Sequence, residues 1–283
     1  MVKTIAIIGA GGAMGKWFSD YFVKKGFNVI GFDNTNPVSK NVKKAESLIS
    51  AILNVDYVLL STPTKKTPEI IRLIAKEMKR ESFLIDITSQ KLKTAAALGK
   101  IPAKVSPICI HPMFGPGAKN LKSHNIVLVP IKDGKKELSL AKNLFPDGNF
   151  VIIDSTEHDK KIAVILGLTH LINIAFSNIL GKDDKMSLTE KMSGTTFKAQ
   201  KILAESIMTE SPELIETIIS NPEIRKVAEE FWKDVGRLLT SAQEGKGEEI
   251  IEYINTNKEK ISQNVDLEKS YKKLTKMVNT IEK

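Results

Sequence analysis

The chain has 283 residues, a length typical of two domains, and its 42% hydrophobic and 27% charged residues exclude a disordered or collagen-like chain. Its single cysteine, Cys109, excludes an internal disulfide framework, and no uninterrupted apolar run reaches the roughly 18 residues of a membrane helix. The net charge of +9 is typical of a lysine-rich solvated surface, although an anionic ligand or nucleic acid would also suit it.

The first half of the chain alternates short apolar runs with helical patterns. Because a run that is apolar on both faces suits a buried parallel strand, strands are predicted at residues 4–8, 27–32, 57–60, 83–85, 105–110, 126–129 and 150–153. Helical spacing predicts helices near 13–25, 66–79 and 134–144. Strands that alternate with helices indicate an α/β domain with a doubly wound, mostly parallel sheet over residues 1–153.

The pattern changes after Asp154, where no further strand is predicted. Apolar residues at helical spacing predict helices near 156–181, 187–209, 211–219, 222–243, 246–262 and 266–281. We therefore predict a second, all-α domain over residues 154–283. Its last helix is lysine-rich but keeps an apolar face, which favours a solvated amphipathic helix over a nucleic-acid-binding arm.

A glycine-rich turn follows the first predicted strand and opens the first helix. Glycine lets the backbone approach a pyrophosphate closely, and the helix N-terminus supplies N–H donors and a positive dipole end. The nearest match to G-x-G-x-x-G places alanine at the first position, with a glycine before it. The turn predicts a Rossmann-like dinucleotide site at Gly9, Ala10, Gly12, Ala13, Met14 and Gly15.

Asp33 ends the second predicted strand, 18 residues after Gly15. A carboxylate at this position accepts hydrogen bonds from a ribose 2′-hydroxyl and repels a 2′-phosphate. NAD is therefore the favoured cofactor, and NADP is the alternative, because Asn34 and Thr35 could still bind a phosphate.

Polar residues also follow the next strands, at the edge of the sheet where ligands bind in open α/β folds. Ser61, Thr62 and Pro63 are predicted to lie near the cofactor. After the following strand, Asp86 and Ser89 either cap the next helix or contact a substrate, and the two roles are compatible.

His111 ends a buried strand and enters a rigid Pro/Gly loop. An imidazole titrates near neutral pH, and a dehydrogenase that oxidises an alcohol needs a group to take the hydroxyl proton. His111 is thus the candidate base. Cys109 is interpreted as a small buried hydrophobe, and no residue spacing predicts a metal site.

Three segments in this order and spacing resemble the prephenate/arogenate dehydrogenase family. They are the glycine turn at 9–15, the Asp86-x-x-Ser89-x-Lys91 segment and the His-Pro-Met-Phe-Gly-Pro segment at 111–116, with His158-Asp159 and Thr169-His170 following. The resemblance spans roughly residues 1–210. It implies NAD(P)-dependent oxidative decarboxylation of prephenate to 4-hydroxyphenylpyruvate in tyrosine biosynthesis.

The resemblance also implies roles for individual residues. His111 would be the catalytic histidine, Ser89 would contact the same substrate hydroxyl or orient His111, and His170 would line the substrate pocket. His170 also belongs to a polar stripe on an otherwise apolar helix, which suits either a ligand contact or a satisfied buried network.

The family commonly carries an arginine that binds a substrate carboxylate, and this region of the chain has none. Lys198 is the best positional match and Lys201 lies one turn further on. Lysine can bind a carboxylate as a point charge but not through a planar fork. This departure leaves arogenate or a related acid open as the substrate, and two exposed lysines without a ligand remain the structural alternative.

Together these observations predict a cytoplasmic, NAD-dependent dehydrogenase with a dicarboxylate substrate between its domains and a homodimer through the helical domain. We expect no contact with nucleic acid or membrane. One alternative is another NAD(P)-dependent enzyme with a helical second domain, acting on a hydroxy acid or an imine; Lys198 keeps it open because hydroxy-acid enzymes use a lysine in that domain. A dinucleotide-sensing regulatory protein is the remaining alternative.

Overall fold

The structure is a computed structural model that describes residues 2–281, and its contacts divide the chain into two compact units. The first unit is Met1–Ile162 and the second is Ala163–Lys283. The units separate between Ile162 and Ala163, so the first helical turns after Asp154 belong to the α/β unit. The domain boundary at 153/154 stays a prediction.

A single twisted sheet forms the centre of the first unit. Among the described residues it has eight strands, namely β1 (Thr4–Ile8), β2 (Asn28–Phe32), β3 (Lys43–Lys44), β4 (Tyr57–Leu60), β5 (Ser82–Asp86), β6 (Val105–Pro112), β7 (Asn125–Leu128) and β8 (Asn149–Ile152). Their order is β3-β2-β1-β4-β5-β6-β7-β8, and every neighbouring pair is parallel except β6 and β7. This confirms the doubly wound, mostly parallel α/β fold.

Helices cover both faces of this sheet. They are α1 (Ala13–Lys24), α2 (Leu48–Ile52), α3 (Thr67–Ile74), α4 (Leu92–Leu98), α5 (Gly134–Leu144) and α6 (Ser155–Ile162). Alternate residues of β1 enter two separate cores, because successive side chains of a strand point to opposite faces. Ile5 and Ile7 pack in the core that includes Phe18 of α1, whereas Ala6 and Ile8 pack in the core that includes Ile71 of α3.

The strand register brings the predicted site segments to one edge of the sheet. Ile8, at the end of β1, pairs with Phe32 of β2 and Leu60 of β4. Leu60 pairs in turn with Asp86 of β5, which pairs with Cys109 of β6. The glycine turn and the segments after β2, β4 and β5 therefore leave the sheet at the same edge, and the last residues of β6 extend beyond it.

The second unit is helical. It begins with a π-helical segment (Ala163–Leu168), followed by α7 (Thr169–Leu180), α8 (Met186–Met192), α9 (Thr195–Ile207), α10 (Pro212–Ile219), α11 (Ile224–Gln243), α12 (Gly247–Ser262) and α13 (Leu267–Ile281). α9 packs against both α7 and α13, and α11 packs against the π segment and α12. The all-α character predicted for this part of the chain is confirmed.

Several short elements differ from the prediction. The sequence pattern does not indicate β3, α2 or α4, which are seven residues long or shorter. The helix predicted at 187–209 is two helices, α8 and α9, because the chain is extended at Ser193 and Gly194. The helix predicted at 156–181 contains the π segment, and local hydrogen-bond registers of this kind leave no periodic signal in sequence.

One stretch, Ser155–Leu180, is long and apolar enough to meet the length and composition criterion for a membrane span. Polar residues such as His170 and Asn173 interrupt this stretch, so a search of the sequence for uninterrupted apolar runs does not detect it. A core helix of a water-soluble protein meets the same criterion, and the finding is weak evidence for a membrane segment.

Candidate active site

The glycine turn is held against two neighbouring strands. Gly9 has a positive φ of 87°, and a Cβ at this position would lie 2.2 Å from the carbonyl oxygen of Ser61. The N–H groups of Gly9 and Ala10 both donate to the carbonyl of Phe32. Gly9 therefore makes the tight turn that the alanine at the next position could not make, and Ala10 is fully buried.

The N-terminus of α1 is open at the turn. Gly12 is the N-cap residue, and no side chain caps the first turn of the helix. A Cβ on Gly15 would lie 2.0 Å from the carbonyl oxygen of Gly9, whereas a Cβ on Gly12 would meet only that same oxygen at 3.4 Å. Gly15 thus closes the turn, and Gly12 leaves the space over the helix N-terminus free. This cradle, with Ala13 and Met14 in the first helical turn, fits the pyrophosphate of a dinucleotide.

Asp33 connects the end of β2 to the glycine turn. Its Oδ2 accepts the N–H of Gly11 at 3.0 Å, and its Oδ1 accepts the N–H groups of Thr35 and Asn36 at 2.9 and 2.8 Å. These bonds fix the orientation of the carboxylate beside the turn. A carboxylate has about four lone-pair positions, so one remains for a ribose hydroxyl.

The segment after β4 lies directly beside the turn. The Ser61 N–H donates to the carbonyl of Ile8, and the hydroxyls of Thr62 and Thr67 lie 2.8 Å apart. The Pro63 carbonyl accepts the N–H of Thr67, the first residue of α3. The backbone of this segment is therefore held in place next to the predicted cofactor site.

His111 is the centre of a buried polar network in the first unit. It lies in β6, one residue before the strand ends, and its Nδ1 is 3.1 Å from Nε2 of His158 on α6. Nδ1 of His158 is 2.7 Å from Oδ1 of Asp159. The three side chains are between 2% and 6% exposed, so water does not compete for these hydrogen bonds.

Asp159 is anchored on the backbone at the start of α4. Its Oδ1 accepts the N–H of Lys91 at 2.8 Å, and its Oδ2 accepts the N–H of Leu92 at 3.1 Å. The carboxylate thereby caps a helix N-terminus from outside the helix. The motif that supplies His158 and Asp159 was part of the resemblance, but the sequence assigned neither residue a role.

Lys91 and Asp86 form a buried ion pair next to this network. Lys91 Nζ lies 2.8 Å from Asp86 Oδ2, and Asp86 also accepts both the N–H and the hydroxyl of Thr88. The thiol of Cys109 donates to the same carboxylate at 3.6 Å, and burial raises the pKa of this thiol. Asp86 therefore binds Lys91 and Thr88 and does not cap α4. Lys91 is a residue that the sequence reasoning missed, although it is the last residue of the Asp86-x-x-Ser89-x-Lys91 spacing.

The environment of His111 favours the neutral imidazole. Burial is the largest cause, and the positive charge of Lys91 and the contact with His158 add to it, so the pKa of His111 lies well below its usual 6.5. A neutral histidine at neutral pH can accept a proton, which is what a general base requires.

Ser89 lies in the same segment as this network and is partly exposed. Nδ1 of His111 is occupied by His158, so His158 orients the ring through this nitrogen. The predicted contact of Ser89 with a substrate hydroxyl stays a prediction.

The loop after His111 is tied to α1. Trp17 Nε1 donates to the carbonyl of Ala118 at 2.6 Å, and its ring packs against Phe114 at a centroid distance of 4.9 Å. A cavity of about 550 Å³ opens on this loop, lined by residues 113–115, 117–120 and His124. His111 itself does not line this cavity.

His170 belongs to a polar group inside the second unit. Its Nδ1 donates to the carbonyl of Leu166 at 2.7 Å, and its Nε2 is 3.3 Å from Oε2 of Glu210. Burial lowers the pKa of His170, but the hydrogen bonds and the charge of Glu210 outweigh this effect and raise it above 6.5. Glu210 is a second partner that the sequence reasoning missed, since 40 residues separate the pair.

Asn173, another polar residue of the same helix, bonds both within α7 and to α9. Asn173 Nδ2 donates to the carbonyl of Thr169, and its Oδ1 accepts Nε2 of Gln200 at 2.8 Å. These bonds support the interpretation of Asn173 as part of a satisfied buried network.

The two candidate carboxylate-binding lysines lie on α9. Lys201 Nζ forms ion pairs with Glu190 at 3.0 Å and with Glu205 at 2.5 Å, and these bonds raise its pKa. Its positive charge is therefore already balanced within the helical unit. Lys198 is partly exposed on the same helix.

Comparison with known families gives two successive matches. The model described as "Prephenate dehydrogenase, nucleotide-binding domain" matches residues 24–154, and the one described as "Prephenate dehydrogenase, dimerization domain" matches residues 154–256. Together the two matches cover well over half of the chain.

Two curated proteins are similar in sequence. A probable arogenate/prephenate dehydrogenase of Methanocaldococcus jannaschii is 29% identical over 242 residues, which cover 81% of this chain and 54% of that protein. A 4-amino-4-deoxyprephenate dehydrogenase of Streptomyces pristinaespiralis is 25% identical over 186 residues, which cover 62% of each chain. The chain therefore spans less than two thirds of the length of the curated relatives it matches.

Two solved structures share the fold. Prephenate dehydrogenase from A. aeolicus, in complex with hydroxyphenyl propionate and NAD+, has a TM-score of 0.72 at 23% identity and covers 93% of this chain and 98% of its own. Arogenate dehydrogenase from Synechocystis has a TM-score of 0.65 at 15% identity, with 93% and 100% covered.

Proposed function

This chain belongs to the prephenate/arogenate dehydrogenase family, and on that premise we propose that it catalyses the NAD-dependent oxidative decarboxylation of prephenate. The reaction converts prephenate and NAD+ into 4-hydroxyphenylpyruvate, CO2 and NADH. A hydride leaves the ring carbon that bears the hydroxyl, and the ring then loses its carboxylate as CO2 and becomes aromatic. No net proton is consumed or released, because the hydroxyl proton taken in the first stage returns to the phenolate oxygen in the second.

One observation carries this proposal. His111 is a buried imidazole with a depressed pKa, at the sheet edge that also carries an open glycine turn. Oxidation of a hydroxyl requires a base that is neutral at working pH and a bound dinucleotide, and the first unit has a candidate residue or site for each.

The residues of the first unit have separate tasks in this proposal. The open N-terminus of α1 at Gly12 holds the pyrophosphate, and Asp33 accepts a ribose hydroxyl. The bound nicotinamide supplies the hydride acceptor. His111 takes the hydroxyl proton, holds it while the ring carboxylate leaves, and gives it back to the developing phenolate. Ser89 is proposed to contact the same hydroxyl.

The helical unit supplies positive charge for the substrate carboxylates in this proposal. His170 is more readily protonated than a free histidine, and a protonated imidazole attracts an anion. Lys198 and Lys201 are the proposed partners in place of the family's arginine. Lys201 has to exchange one of its glutamates for the substrate, which weakens its contribution.

We further propose a cytoplasmic homodimer formed through the helical unit. The support is the description of the second family model and the large apolar side chains exposed in this unit, including Met192, Trp232 and Ile251. A reducing compartment suits a chain whose only cysteine is buried and unpaired. Light scattering after gel filtration tests the dimer, and a mass equal to one chain at micromolar concentration contradicts it.

Arogenate is the second candidate substrate, since the names of the M. jannaschii relative and of the Synechocystis structure include it. The two differ in the side chain of the substrate, which carries a keto group in prephenate and an ammonium group in arogenate. Prephenate carries the larger net negative charge, and the two lysines of α9, Lys198 and Lys201, favour it over a substrate with an added ammonium group.

The purified protein tests this function directly. NADH or NADPH formation is measured with prephenate, with arogenate and with a 3-hydroxy acid, using NAD and NADP separately. The proposal expects turnover of prephenate with NAD and formation of 4-hydroxyphenylpyruvate. Faster turnover of arogenate reassigns the substrate, and turnover of neither cyclohexadiene contradicts the proposed function.

A further inference from the structure

The contacts around His111 determine which of its two ring nitrogens is free. Nδ1 is used in the hydrogen bond with Nε2 of His158, and no hydrogen bond of Nε2 is among the contacts of the described residues. We propose that His158 and Asp159 are positioning residues that fix the tautomer of His111, with hydrogen on Nδ1 and the proton-accepting lone pair on Nε2. This inference deepens the proposed function, on which its catalytic meaning rests.

The assignment starts from Asp159. Both of its carboxylate oxygens accept backbone N–H groups, from Lys91 and Leu92. A carboxylate in this position acts as an acceptor, so the 2.7 Å contact with His158 requires hydrogen on Nδ1 of His158. If His158 carries a single ring hydrogen, its lone pair then lies on Nε2.

The next contact follows from the same rule. Because Nε2 of His158 is an acceptor, the group 3.1 Å away must donate, and this group is Nδ1 of His111. A neutral imidazole carries only one ring hydrogen, which leaves the lone pair of His111 on Nε2. The low pKa of His111 agrees with a neutral ring, whereas the assignment itself rests on the two hydrogen bonds and on a single ring hydrogen on His158.

The network is rigid enough to hold this arrangement. His158 is 2% exposed and Asp159 is 4% exposed, so water cannot replace either partner. The two backbone bonds of Asp159 fix the carboxylate to the start of α4, and α6 carries both Asp159 and His158. A hydrogen bond to one ring nitrogen that sets the state of the other is a general way of orienting a catalytic or metal-binding histidine.

The reverse arrangement is the one that the experiment must exclude. A doubly protonated His158 would donate through Nε2 to Nδ1 of His111, and the hydrogen of His111 would then lie on Nε2. His111 could not accept a proton at Nε2 in that state. The two arrangements have the same heavy-atom distances and differ only in hydrogen positions.

Long-range proton–nitrogen NMR on protein labelled with ¹⁵N-histidine distinguishes them. The chain has four histidines, and spectra of His124→Gln and His170→Gln assign two of them. The full chain is measured without substrate or cofactor near neutral pH. We expect His111 to have a protonated Nδ1 and an unprotonated Nε2. Hydrogen on Nε2 of His111 overturns the inference, whether or not the protein oxidises prephenate.

Two variants of His158 distinguish a role in orienting His111 from a role in the stability of the fold alone. Leucine removes the acceptor for His111, whereas glutamine places an amide oxygen near the position of Nε2. We expect His158→Leu to lower kcat/KM by about 10- to 100-fold and to give a mixture of His111 tautomers, while His158→Gln retains more activity and the Nδ1-protonated form. Lys160→Gln, an exposed change on the same helix, is the matched control.

The pH profile makes the variants informative even if one folds poorly. A structural role alone lowers kcat at every pH, whereas a change of tautomer and surroundings also moves the acidic limb of kcat/KM. A wild-type pH profile and tautomer in His158→Leu contradict the inference. If His158→Leu does not fold, the tautomer of His111 is measured in His158→Gln instead. Hydrogen on Nε2 of His111 in that variant contradicts the inference.

Discussion

Lys91 Nζ lies 2.8 Å from Asp86 Oδ2, and neither side chain is exposed to solvent. The two residues stand at the ends of the segment that joins β5 to α4, and the charge of Lys91 also acts on His111. A buried pair of this kind contributes little net stability over apolar residues, but removing one partner leaves an uncompensated charge in the core. The ion pair therefore links the stability of the fold to the protonation state of the candidate base.

Replacing one member of this pair should destabilise the first unit strongly. Lys91→Met leaves the Asp86 carboxylate buried, and among the described residues its remaining hydrogen-bond donors are Thr88 and Cys109. We expect the free energy of unfolding to fall by about 3–5 kcal/mol in denaturant titrations. The double variant Asp86→Asn, Lys91→Met removes the stranded charge and should recover part of this loss. A stability of Lys91→Met close to wild type contradicts the burial of an ionised pair.

The glycine turn allows a matched pair of substitutions. Gly15→Ala puts a Cβ 2.0 Å from the Gly9 carbonyl oxygen, so the turn must move, and we expect a loss of several kcal/mol in unfolding free energy. Gly12→Ala has its nearest contact at 3.4 Å and should fold with less than about 1 kcal/mol lost. It should nevertheless weaken NAD binding at least about tenfold, because the added methyl group occupies the space for the pyrophosphate. Calorimetric titration with NAD measures this, and unchanged affinity in Gly12→Ala contradicts the assigned cradle.

Asp33 should control the choice between the two nicotinamide cofactors. Asp33→Ala removes an acceptor for the ribose hydroxyl and a charge that repels a 2′-phosphate, so the Kd for NAD should rise about tenfold or more while that for NADP rises less. The variant also loses the bond to the Gly11 N–H, a change that affects both cofactors equally. The ratio of the two Kd values is therefore the informative quantity, and an equal loss for both is evidence against the ribose assignment.

The rate should depend on pH through two histidines with opposite shifts. The pKa of His111 is lowered, so the acidic decline of kcat/KM should lie below pH 6.5. The pKa of His170 is raised, so its proposed attraction for a carboxylate should persist above pH 6.5 and disappear as pH rises through the higher value. Glu210→Gln should move this alkaline limb towards 6.5. A Glu210→Gln profile identical to wild type contradicts a role for the charged His170.

The same shifts make a prediction for stability. Unfolded His111 binds a proton near pH 6.5 but folded His111 does not, so its contribution to stability is present above pH 6.5 and is lost as pH falls towards the lower folded pKa. For His170 the contribution is present below pH 6.5 and is lost as pH rises through the folded pKa. Denaturant titrations across this pH range test the contribution of His111. They compare the free energy of unfolding of wild type with that of His111→Asn.

The sheet and the cofactor turn could be predicted from sequence because their signals are local. Ile5 and Ile7 belong to one continuous apolar run, and Gly9 and Gly15 are spaced within a single turn. Short elements such as α2 and α4 could not, since seven residues or fewer give too little periodicity and their packing is tertiary. The break at Gly194 was missed because the residues on both sides keep a helical pattern.

The candidate site was predictable only in part. His111 was identified from its position at a strand end, but its partners come from distant segments: 47 residues separate it from His158, and 68 separate Lys91 from Asp159. Periodicity carries no information about such pairs. The sequence also does not indicate that Lys91 is buried, because a lysine near the start of a helix is usually solvated.

The central claim is that His111 takes the hydroxyl proton, and the rate of His111→Asn tests it most directly. Asparagine keeps a polar side chain of similar length but cannot act as a base near neutral pH. With prephenate and NAD at saturation, we expect kcat to fall by about 10²- to 10⁴-fold, while the Kd for NAD and the unfolding free energy stay near wild type. A His111→Asn protein that keeps the full wild-type kcat would contradict the account.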